Sequence, residues 1–375
     1  MRKTIIYVLL SASLALASCD AARQDREDIP YDHYEAYACG TEYPIGGDLL
    51  FSTPKLWKNG AEVELEEPYG FFSGGATAVA GYDGKVYVGG YFQTARSAEP
   101  MAVVWEDGRP VTFDMSSLPG YSTPEIVDIA AGRSGRAVAF TTTKDGIRYG
   151  GYQVGSNEPK LLSGGNIDDA DASCIFMEGN SVYVGGSIEG DAKRTACYWK
   201  NGTLVKLPAL EGYSYYHVTG ICVSNGTVYV SGYARTPDFS TYAVYWDGDG
   251  VHPLPAPADP LTKGFSSTSG IAVDGADIII GGSLSFWNLI GYPCYWSNGS
   301  YNALSGGLGG FGIVSSTAAA GGETCLGGYV STTDLTSLRA IDNSPYNACI
   351  WHNGALQVLS HNTSTVNDVC LVGVR

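Results

Sequence analysis

A tryptophan followed by a short polar turn and a glycine recurs at nearly equal spacing along this chain. Six copies are centred on Trp57, Trp105, Trp199, Trp246, Trp296 and Trp351. Tyr152 stands at the midpoint of the one double interval, so the successive steps are 48, 47, 47, 47, 50 and 55 residues. Such regular spacing indicates one structural unit repeated seven times.

A second marker keeps a constant phase with the first. It is a β-branched or apolar run ending in Gly-Gly or Ser-Gly, and it occurs at residues 86–90, 182–186, 228–232, 278–282 and 325–328. Upstream lies a small apolar run that ends in a turn such as Asn225-Gly226 or Asp274-Gly275. Asn-Gly and Asp-Gly favour tight hairpins, because both central residues of a type I′ turn need a positive φ. Each repeat therefore predicts four strands, here called a, b, c and d, with Gly-Gly in strand b and the tryptophan in strand c.

Four antiparallel strands in about 50 residues are typical of one blade of a β-propeller. The chain provides seven c strands, and seven a strands near residues 79, 129, 174, 222, 272, 318 and 369. The first clear repeat elements are the c and d strands around Trp57, and the last is an a strand at Val369–Val372. We therefore expect an all-β, seven-bladed propeller whose terminal strands share one blade and leave no sheet edge exposed. The b strand of that blade is expected from about Glu42 to Leu50, and a six-bladed ring is the alternative.

The pattern of Gly-Gly followed by a downstream tryptophan resembles that of kelch-repeat propellers, whose period is about 50 residues. The resemblance covers nearly all of residues 41–375. It implies the same architecture of four-stranded blades. In this chain the tryptophan closes strand c, and the repeat around Arg136–Phe140 has no Gly-Gly.

The N-terminal residues are typical of a targeting segment, because Arg2 and Lys3 precede an apolar run that reaches Ser18. The run is too short to span a bilayer. Residues 16–19, Leu-Ala-Ser-Cys, resemble the bacterial lipobox, which implies cleavage before Cys19 and lipidation of its thiol. Ordinary cleavage nearby is the alternative. We expect a signal peptide at 1–18, a lipidated flexible tether at 19–40 and the propeller at 41–375.

The acidic stretch after Cys19 resembles the surface-export signal of Bacteroides lipoproteins, whereas Asp directly after the cysteine resembles an inner-membrane retention signal of enteric bacteria. The expected location is the cell envelope, with a lipid anchor in the outer membrane on either face. The formal net charge of −16 makes nucleic acid and anionic membrane surfaces poor partners.

The residues that commonly carry chemistry show no recognisable pattern. We expect no cofactor, because no nucleotide-binding or nucleophile motif is present, and no metal, because the five histidines lack ligand spacing. Asp168, Asp169 and Asp171 are more typical of a solvated turn than of a Ca²⁺ site. Eight cysteines besides Cys19 lie mostly in strand-like runs and are interpreted as core residues, with a disulfide framework as the alternative. The repeated tryptophans are expected in the core.

The loops from strand d to a and from strand b to c share one rim of a propeller, and here they are rich in aromatic residues. The predicted ligand-binding residues are Tyr69, Phe71, Tyr121, Tyr213, Tyr215, Tyr216, His217, Phe286, Trp287 and Phe311. Aromatic rings with neighbouring carboxylates (Glu66, Glu67, Asp168, Asp238) suit carbohydrate stacking or a peptide partner. Packing of these rings against the channel mouth is an equal alternative.

Two functions follow from this interpretation. The first is a monomeric, non-enzymatic binding module on the cell envelope that recognises a glycan, peptide or protein through the aromatic rim. The second is a hydrolase or lyase that acts on polysaccharide with carboxylates at the channel mouth. The first is preferred, because no residues are nominated as a catalytic acid and base and a fold alone does not define an activity.

Overall fold

The computed structural model describes residues 31–44, 51–164, 170–190, 193–257, 265–286, 290–307, 310–332 and 346–375. Within these ranges the regular structure is 28 β-strands and no α-helix. No helix among the described residues is long and apolar enough to cross a membrane.

The strands, numbered β1 to β28 in chain order, form groups of four that are consecutive along the chain except in blade 1, which β28 completes. Blade 1 consists of β1 (His33–Tyr43), β2 (Thr53–Lys58), β3 (Ala61–Val63) and β28 (Thr363–Val374). Blade 2 consists of β4 (Ser73–Tyr82), β5 (Lys85–Gln93), β6 (Met101–Glu106) and β7 (Arg109–Thr112). Blade 3 consists of β8 (Glu125–Gly132), β9 (Gly135–Lys144), β10 (Ile147–Val154) and β11 (Lys160–Leu161). Blade 4 consists of β12 (Ala170–Glu178), β13 (Ser181–Gly190), β14 (Lys193–Lys200) and β15 (Thr203–Lys206).

The remaining groups continue the same order. Blade 5 consists of β16 (Tyr215–Ser224), β17 (Thr227–Arg235), β18 (Thr241–Asp247) and β19 (Gly250–Pro253). Blade 6 consists of β20 (Ser266–Asp274), β21 (Asp277–Phe286), β22 (Ile290–Ser297) and β23 (Ser300–Ala303). Blade 7 consists of β24 (Gly312–Ala320), β25 (Glu323–Ser331), β26 (Tyr346–His352) and β27 (Ala355–Val358).

Each blade is an antiparallel sheet in the order a, b, c, d. The a strands β28, β4, β8, β12, β16, β20 and β24 together line a central cavity of about 460 Å³. Single parallel bridges, such as Tyr149 to Ala170 and Arg194 to Tyr215, connect neighbouring blades. This arrangement confirms the expected all-β propeller of four-stranded antiparallel blades, and the described residues form seven such units.

The last strand closes the ring, as expected. Strand β28 pairs antiparallel with β1 along its length, from His33 opposite Val374 to Tyr43 opposite Thr363. The expected position of the first b strand is wrong, because that strand is β1 and not residues 42–50. Residues 33–40, which were expected to belong to the tether, lie in strand β1 instead. The physical reason is burial, since residues 36–41 pack in the core.

The sequence Tyr37-Ala38-Cys39-Gly40 is the marker that was missed. A Cβ atom on Gly40 would lie 1.8 Å from the Thr365 carbonyl oxygen of strand a. Gly40 therefore takes the place of the second glycine of Gly-Gly, whereas a buried cysteine takes the place of the first. Residues 45–50 of the expected strand lie outside the described residues.

Steric limits explain the Gly-Gly marker. A Cβ on Gly90, the second glycine of its pair, would lie 2.2 Å from the Gly75 carbonyl oxygen and 3.0 Å from Cζ3 of Trp105. A Cβ on Gly89, the first glycine, would lie 2.6 Å from Cγ2 of Ile126 in the next blade. The first position therefore brings neighbouring blades together, and the second makes room within its own blade.

The six tryptophans of the repeat are core residues, as expected, and each is at most 2% exposed. In five of the six, the indole N–H group also joins two blades. Trp246 Nε1 donates to the Pro208 carbonyl at 2.8 Å, and Trp296 Nε1 donates to the Pro255 carbonyl at 2.6 Å. Each acceptor follows strand d of the preceding blade, so one ring fills its own blade and holds the previous one.

Blade 3 has the same packing, but the large ring lies in strand b and the glycines lie in strand c. Strand b has Ala139 and Phe140 where most other blades have Gly-Gly, and Gly151 of strand c lies opposite Phe140. A Cβ on Gly151 would lie 2.3 Å from the Phe140 ring. In blade 3 the two glycines, Gly150 and Gly151, therefore lie in strand c, where Gly151 leaves room for the Phe140 ring of strand b.

The cysteines match their interpretation as core side chains. All eight in the described residues are free thiols, and all except Cys370 are buried.

Every a strand carries a one-residue β-bulge opposite its b strand. The extra residues face the central cavity and are Thr77, Val127, Ser173, Thr219, Ser269, Ser315 and Asn367. Six of these seven side chains are polar, so the bulges give the channel a polar lining.

Candidate functional site

The structure places the predicted ligand-binding residues in three different environments. Tyr69 is fully exposed, whereas Phe71, Tyr121, Tyr213, Tyr215 and His217 are partly buried. Tyr216 and Phe311 are buried in the core, each 4% exposed. Phe286 ends strand β21, and its side chain and Trp287 lie outside the described residues.

The interpretation of Tyr216 and Phe311 as surface residues is therefore corrected. The Tyr216 hydroxyl accepts a hydrogen bond from the Leu210 N–H at 2.7 Å, and its ring lies 6.0 Å from that of Trp246. Phe311 packs against Tyr292, with ring centroids 5.2 Å apart. Both rings fill space between loops and blades. This agrees with the alternative that the aromatic residues of the rim serve packing and do not bind a ligand.

The remaining rings do not form one platform. Tyr121 lies beside Tyr149 on blade 3, with the Lys144 ammonium 4.9 Å from its ring centroid. Tyr69 and Phe71 belong to the loop between blades 1 and 2, where Phe71 packs on the core. Tyr213 and Tyr215 belong to the rim between blades 4 and 5. At that last place the rim also has a pocket.

The pocket is a groove of about 700 Å³ between blades 4 and 5, within the range of small-molecule sites. Four strand ends build it: the end of β13, the start of β14, the start of β16 and the end of β17. The lining side chains that carry a charge or an aromatic ring are Glu189, Lys193, Arg194, Tyr215, Arg235 and Phe239. We call this site the blade 4–5 groove.

A chain of ion pairs fixes one wall of the groove. Arg194 Nη2 lies 2.6 Å from Asp171 Oδ2, and Arg194 Nε donates to Ser187 Oγ at 2.7 Å. The other Asp171 oxygen accepts from Arg148 Nε at 3.1 Å. Asp171 is thus held by two guanidinium groups, and Arg194 is held rigidly with part of its donors already used.

Arg235 is in a different situation. Its guanidinium carbon lies 4.6 Å from the Tyr215 ring centroid, and that of Arg194 lies 5.4 Å from the same ring. Arg235 Nε is buried and has no hydrogen-bond partner. Among the described residues Arg235 also has no carboxylate partner. A buried donor without an acceptor is costly, so an acceptor that reached this guanidinium from the groove would relieve that cost.

An exposed phenylalanine stands at the edge of the groove. Phe239 is 71% exposed, and its φ of +67° lies in the left-handed region that bulky side chains rarely adopt. The loop around it is held by its own polar groups, because Thr236 Oγ1 donates to the Asp238 carboxylate and Phe239 N donates to the Thr236 carbonyl at 3.0 Å. The loop therefore presents an apolar ring to solvent at a cost in backbone strain.

The local potential at this rim is positive although the protein as a whole is acidic. The pKa of His217 falls to about 4, mainly because burial disfavours the imidazolium. The Arg194 guanidinium lowers this pKa further, as do Arg235 and Arg148 to a smaller extent, whereas Asp171 opposes them. His217 is therefore neutral at physiological pH, and the arginines outweigh the nearby carboxylate.

Sequence reasoning missed the basic residues of this site. It searched the rim for rings and carboxylates, and it therefore passed over Lys193, Arg194 and Arg235. The signal was present, because Arg235 lies just after the end of the predicted b strand at Gly232, and Arg194 lies just before the start of the c strand that Trp199 closes. Both ends lie on the predicted rim.

The central cavity contains two buried carboxylates of another kind. Asp128 accepts hydrogen bonds from the Ile129 and Ile175 N–H groups, each at 2.7 Å. Asp368 accepts from the Val79 N–H at 2.7 Å, and also from the Ser316 hydroxyl and the Val369 N–H. Each Asp therefore joins its own blade to the next.

Burial raises the pKa of both carboxyl groups, that of Asp368 to about 6, and the Asp368 charge adds to the increase at Asp128. Their oxygens are occupied by main-chain donors, which is typical of structural carboxylates. Within the described part of the chain, no group of three or more His, Cys, Asp or Glu side chains is placed to hold a metal ion.

No family model matches the chain, and no curated protein matches it. Among solved structures it is similar to the Trypanosoma rangeli sialidase in complex with the inhibitor DANA, with 10% identity and a TM-score of 0.44 over 68% of this chain and 51% of that one. It is also similar to the Aleuria aurantia lectin in complex with alpha-methyl-L-fucoside, with 12% identity, a TM-score of 0.42, and 76% and 94% of the two chains covered.

A third similar structure is TolB from Acinetobacter baumannii, with 15% identity, a TM-score of 0.39, and 71% and 65% of the two chains covered. The chain spans about half the length of the sialidase that it matches.

Proposed function

We propose that this protein is a non-enzymatic glycan-binding module of the cell envelope, held there by a lipid on Cys19, and that the blade 4–5 groove is its binding site. The kelch-like repeat pattern and the lipobox-like residues 16–19 are sequence features that fit an envelope propeller. The observation that carries the binding function is the groove itself, which combines an exposed Phe239, a partly buried Tyr215 and unpaired donors at one rim.

These groups suit a sugar. Aromatic faces pack against the apolar face of a sugar ring, and the apolar area buried there contributes roughly 25 cal/mol per Å². Guanidinium and ammonium groups then supply hydrogen-bond donors for the sugar's oxygens. Because the groove lies between two rigid blades, the site is largely formed before the ligand arrives, and little order has to be imposed on binding.

The hydrolase alternative has less support in the structure. Glu66, Glu67 and Asp238 lie on exposed loops, and Asp168 lies outside the described residues. The two carboxylates that influence each other, Asp128 and Asp368, lie inside the central cavity and are bonded to main-chain donors. A glycosidase needs an acid and a second carboxylate on either side of one bond.

The binding proposal is tested with a glycan array and the full-length protein. Phe239→Ala and Tyr215→Ala should each weaken binding about tenfold, the sum of lost stacking and lost burial. The control is Tyr69→Ala, which removes a fully exposed ring from the same rim outside the groove and should leave binding unchanged. Unaltered binding in both groove variants would contradict the site.

The same samples separate binding from catalysis. Mass spectrometry of a bound oligosaccharide after prolonged incubation should return the intact compound. Shorter products that disappear in the groove variants would favour the hydrolase instead.

The anchor is tested separately by expressing Cys19→Ala in the native host. The wild-type protein should partition with the membrane fraction, whereas the variant should be released, because acyl chains provide most of the membrane affinity. Equal partition of the two proteins would contradict lipidation.

A further inference from the structure

We infer that the blade 4–5 groove binds an acidic sugar, a uronic acid, and that the guanidinium of Arg235 pairs with the sugar's carboxylate. This inference rests on the proposed function and names the ligand class of the same site.

The first step concerns the donors. A guanidinium has five N–H donors in a planar fork that matches the two oxygens of a carboxylate. Two of the Arg194 donors already form hydrogen bonds with Asp171 and Ser187. Arg235 lines the same groove with no carboxylate partner among the described residues, and its Nε has no acceptor. The groove therefore contains one unused fork.

The second step concerns charge. Lys193, Arg194 and Arg235 line the groove together with one acid, Glu189. The Asp171 carboxylate beside it is shared between Arg194 and Arg148. Asp238, on the same loop as Phe239, accepts hydrogen bonds from the hydroxyl groups of Thr236 and Ser240. The groove is thus locally cationic in a chain whose formal charge is −16. A neutral sugar would leave this charge uncompensated, whereas a carboxylate would compensate it.

The third step concerns shape. The Tyr215 ring lies beside Arg235, with 4.6 Å between the guanidinium carbon and the ring centroid, and Phe239 stands exposed at the edge. A uronic acid has an apolar ring face and a carboxylate at the ring's periphery. One residue of this kind can therefore stack on an aromatic side chain while its charged group reaches the adjacent fork.

The inference is tested by isothermal titration calorimetry of the full-length protein with oligosaccharides of galacturonate, mannuronate and glucuronate. Each is paired with its carboxyl-reduced counterpart, which has the same ring and no charge. At least one acidic oligosaccharide should bind, and its reduced counterpart should bind at least tenfold more weakly, equivalent to about 1.4 kcal/mol. This comparison uses only wild-type protein, so it does not depend on how a variant folds.

Variants then assign the effect to the fork. Arg235→Gln should remove the preference for the acidic member of the pair, and Arg235→Lys should restore only part of it, because an ammonium lacks the planar fork. The matched control is Arg109→Gln, which removes one positive charge from the exposed strand β7 and should change nothing. A sulfated galactose oligosaccharide is included to separate carboxylate from sulfate recognition.

The outcomes separate the two proposals. Equal binding of acidic and reduced oligosaccharides would overturn the inference and leave the glycan-binding function intact. Preferential binding of the sulfated probe, or an acid preference that Arg235→Gln does not alter, would also overturn the inference alone. Absence of binding to every glycan would overturn the proposed function and the inference with it.

Discussion

The close approach at Gly186 makes a strong prediction about stability. A Cβ at this position would lie 1.9 Å from the Asp171 carbonyl oxygen and 3.2 Å from Cζ3 of Trp199. The nearest obstacle is main chain and cannot rotate away, so strands β12 and β13 would have to separate by about 1 Å in a close-packed interior. Gly186→Ala should therefore lower the free energy of unfolding by about 3 kcal/mol, at the upper end of the usual cost of overpacking.

Gly179→Ala in the same blade is the matched control. Gly179 has a φ of +56° in the turn between β12 and β13, and a Cβ there would meet nothing within 4 Å. Its substitution costs only the left-handed backbone strain, about 1 kcal/mol. Urea denaturation followed by tryptophan fluorescence measures both variants, because the six tryptophans of the repeat are buried in the native state. Equal destabilisation by the two substitutions would refute the steric account of the Gly-Gly marker.

Three further predictions concern the core. Trp246→Phe removes the indole N–H that donates to the Pro208 carbonyl and should cost about 1–2 kcal/mol by calorimetry; an unchanged melting temperature would contradict the inter-blade role. Tyr216→Ala should cost about 3–5 kcal/mol, whereas Tyr215→Ala should leave the melting temperature near that of the wild type, and a reversed order would contradict their assigned burial. Because burial raises the pKa of Asp368 to about 6, against an ordinary value near 3.9, stability should fall as the pH rises through about 4 to 6. The melting temperature of Asp368→Asn relative to that of the wild type should therefore be higher at pH 7.5 than at pH 5, and an equal difference at both values would contradict the raised pKa.

The spacing of the tryptophans was sufficient to predict the fold because each one meets the same physical demand. It fills its own blade, and in five of the six copies its N–H bonds to the chain that follows the preceding blade. The closing strand was also predictable. The repeat pattern begins with c and d strands that have no a strand, and it finishes with an a strand that has no b, c and d partners. The first b strand was misplaced because Cys39 replaces the expected glycine.

The candidate site was less predictable, because a rim position does not determine what a side chain contacts. Tyr215 and Tyr216 are adjacent and both aromatic, yet strand alternation turns one to the groove and the other to the core. The donor of Arg235 stays unpaired because the Asp171 carboxylate pairs with Arg194 and Arg148. Asp171 lies 64 positions before Arg235 and in another blade. The positive φ of Phe239 is likewise set by the closure of a loop. Such relations belong to three-dimensional packing and have no local pattern.

The pairing of β28 with β1 has a consequence for folding. Contacts between the two ends of the sequence carry a high entropic cost of loop closure, so ring closure should be a late and slow event. Until β28 arrives, β1 offers an open edge, and the place beside it accepts any strand with the sequence of Thr363–Val374. Two unfinished copies could therefore exchange this strand and form a swapped dimer. A chain truncated before residue 363 should be complemented by a peptide that supplies the missing strand.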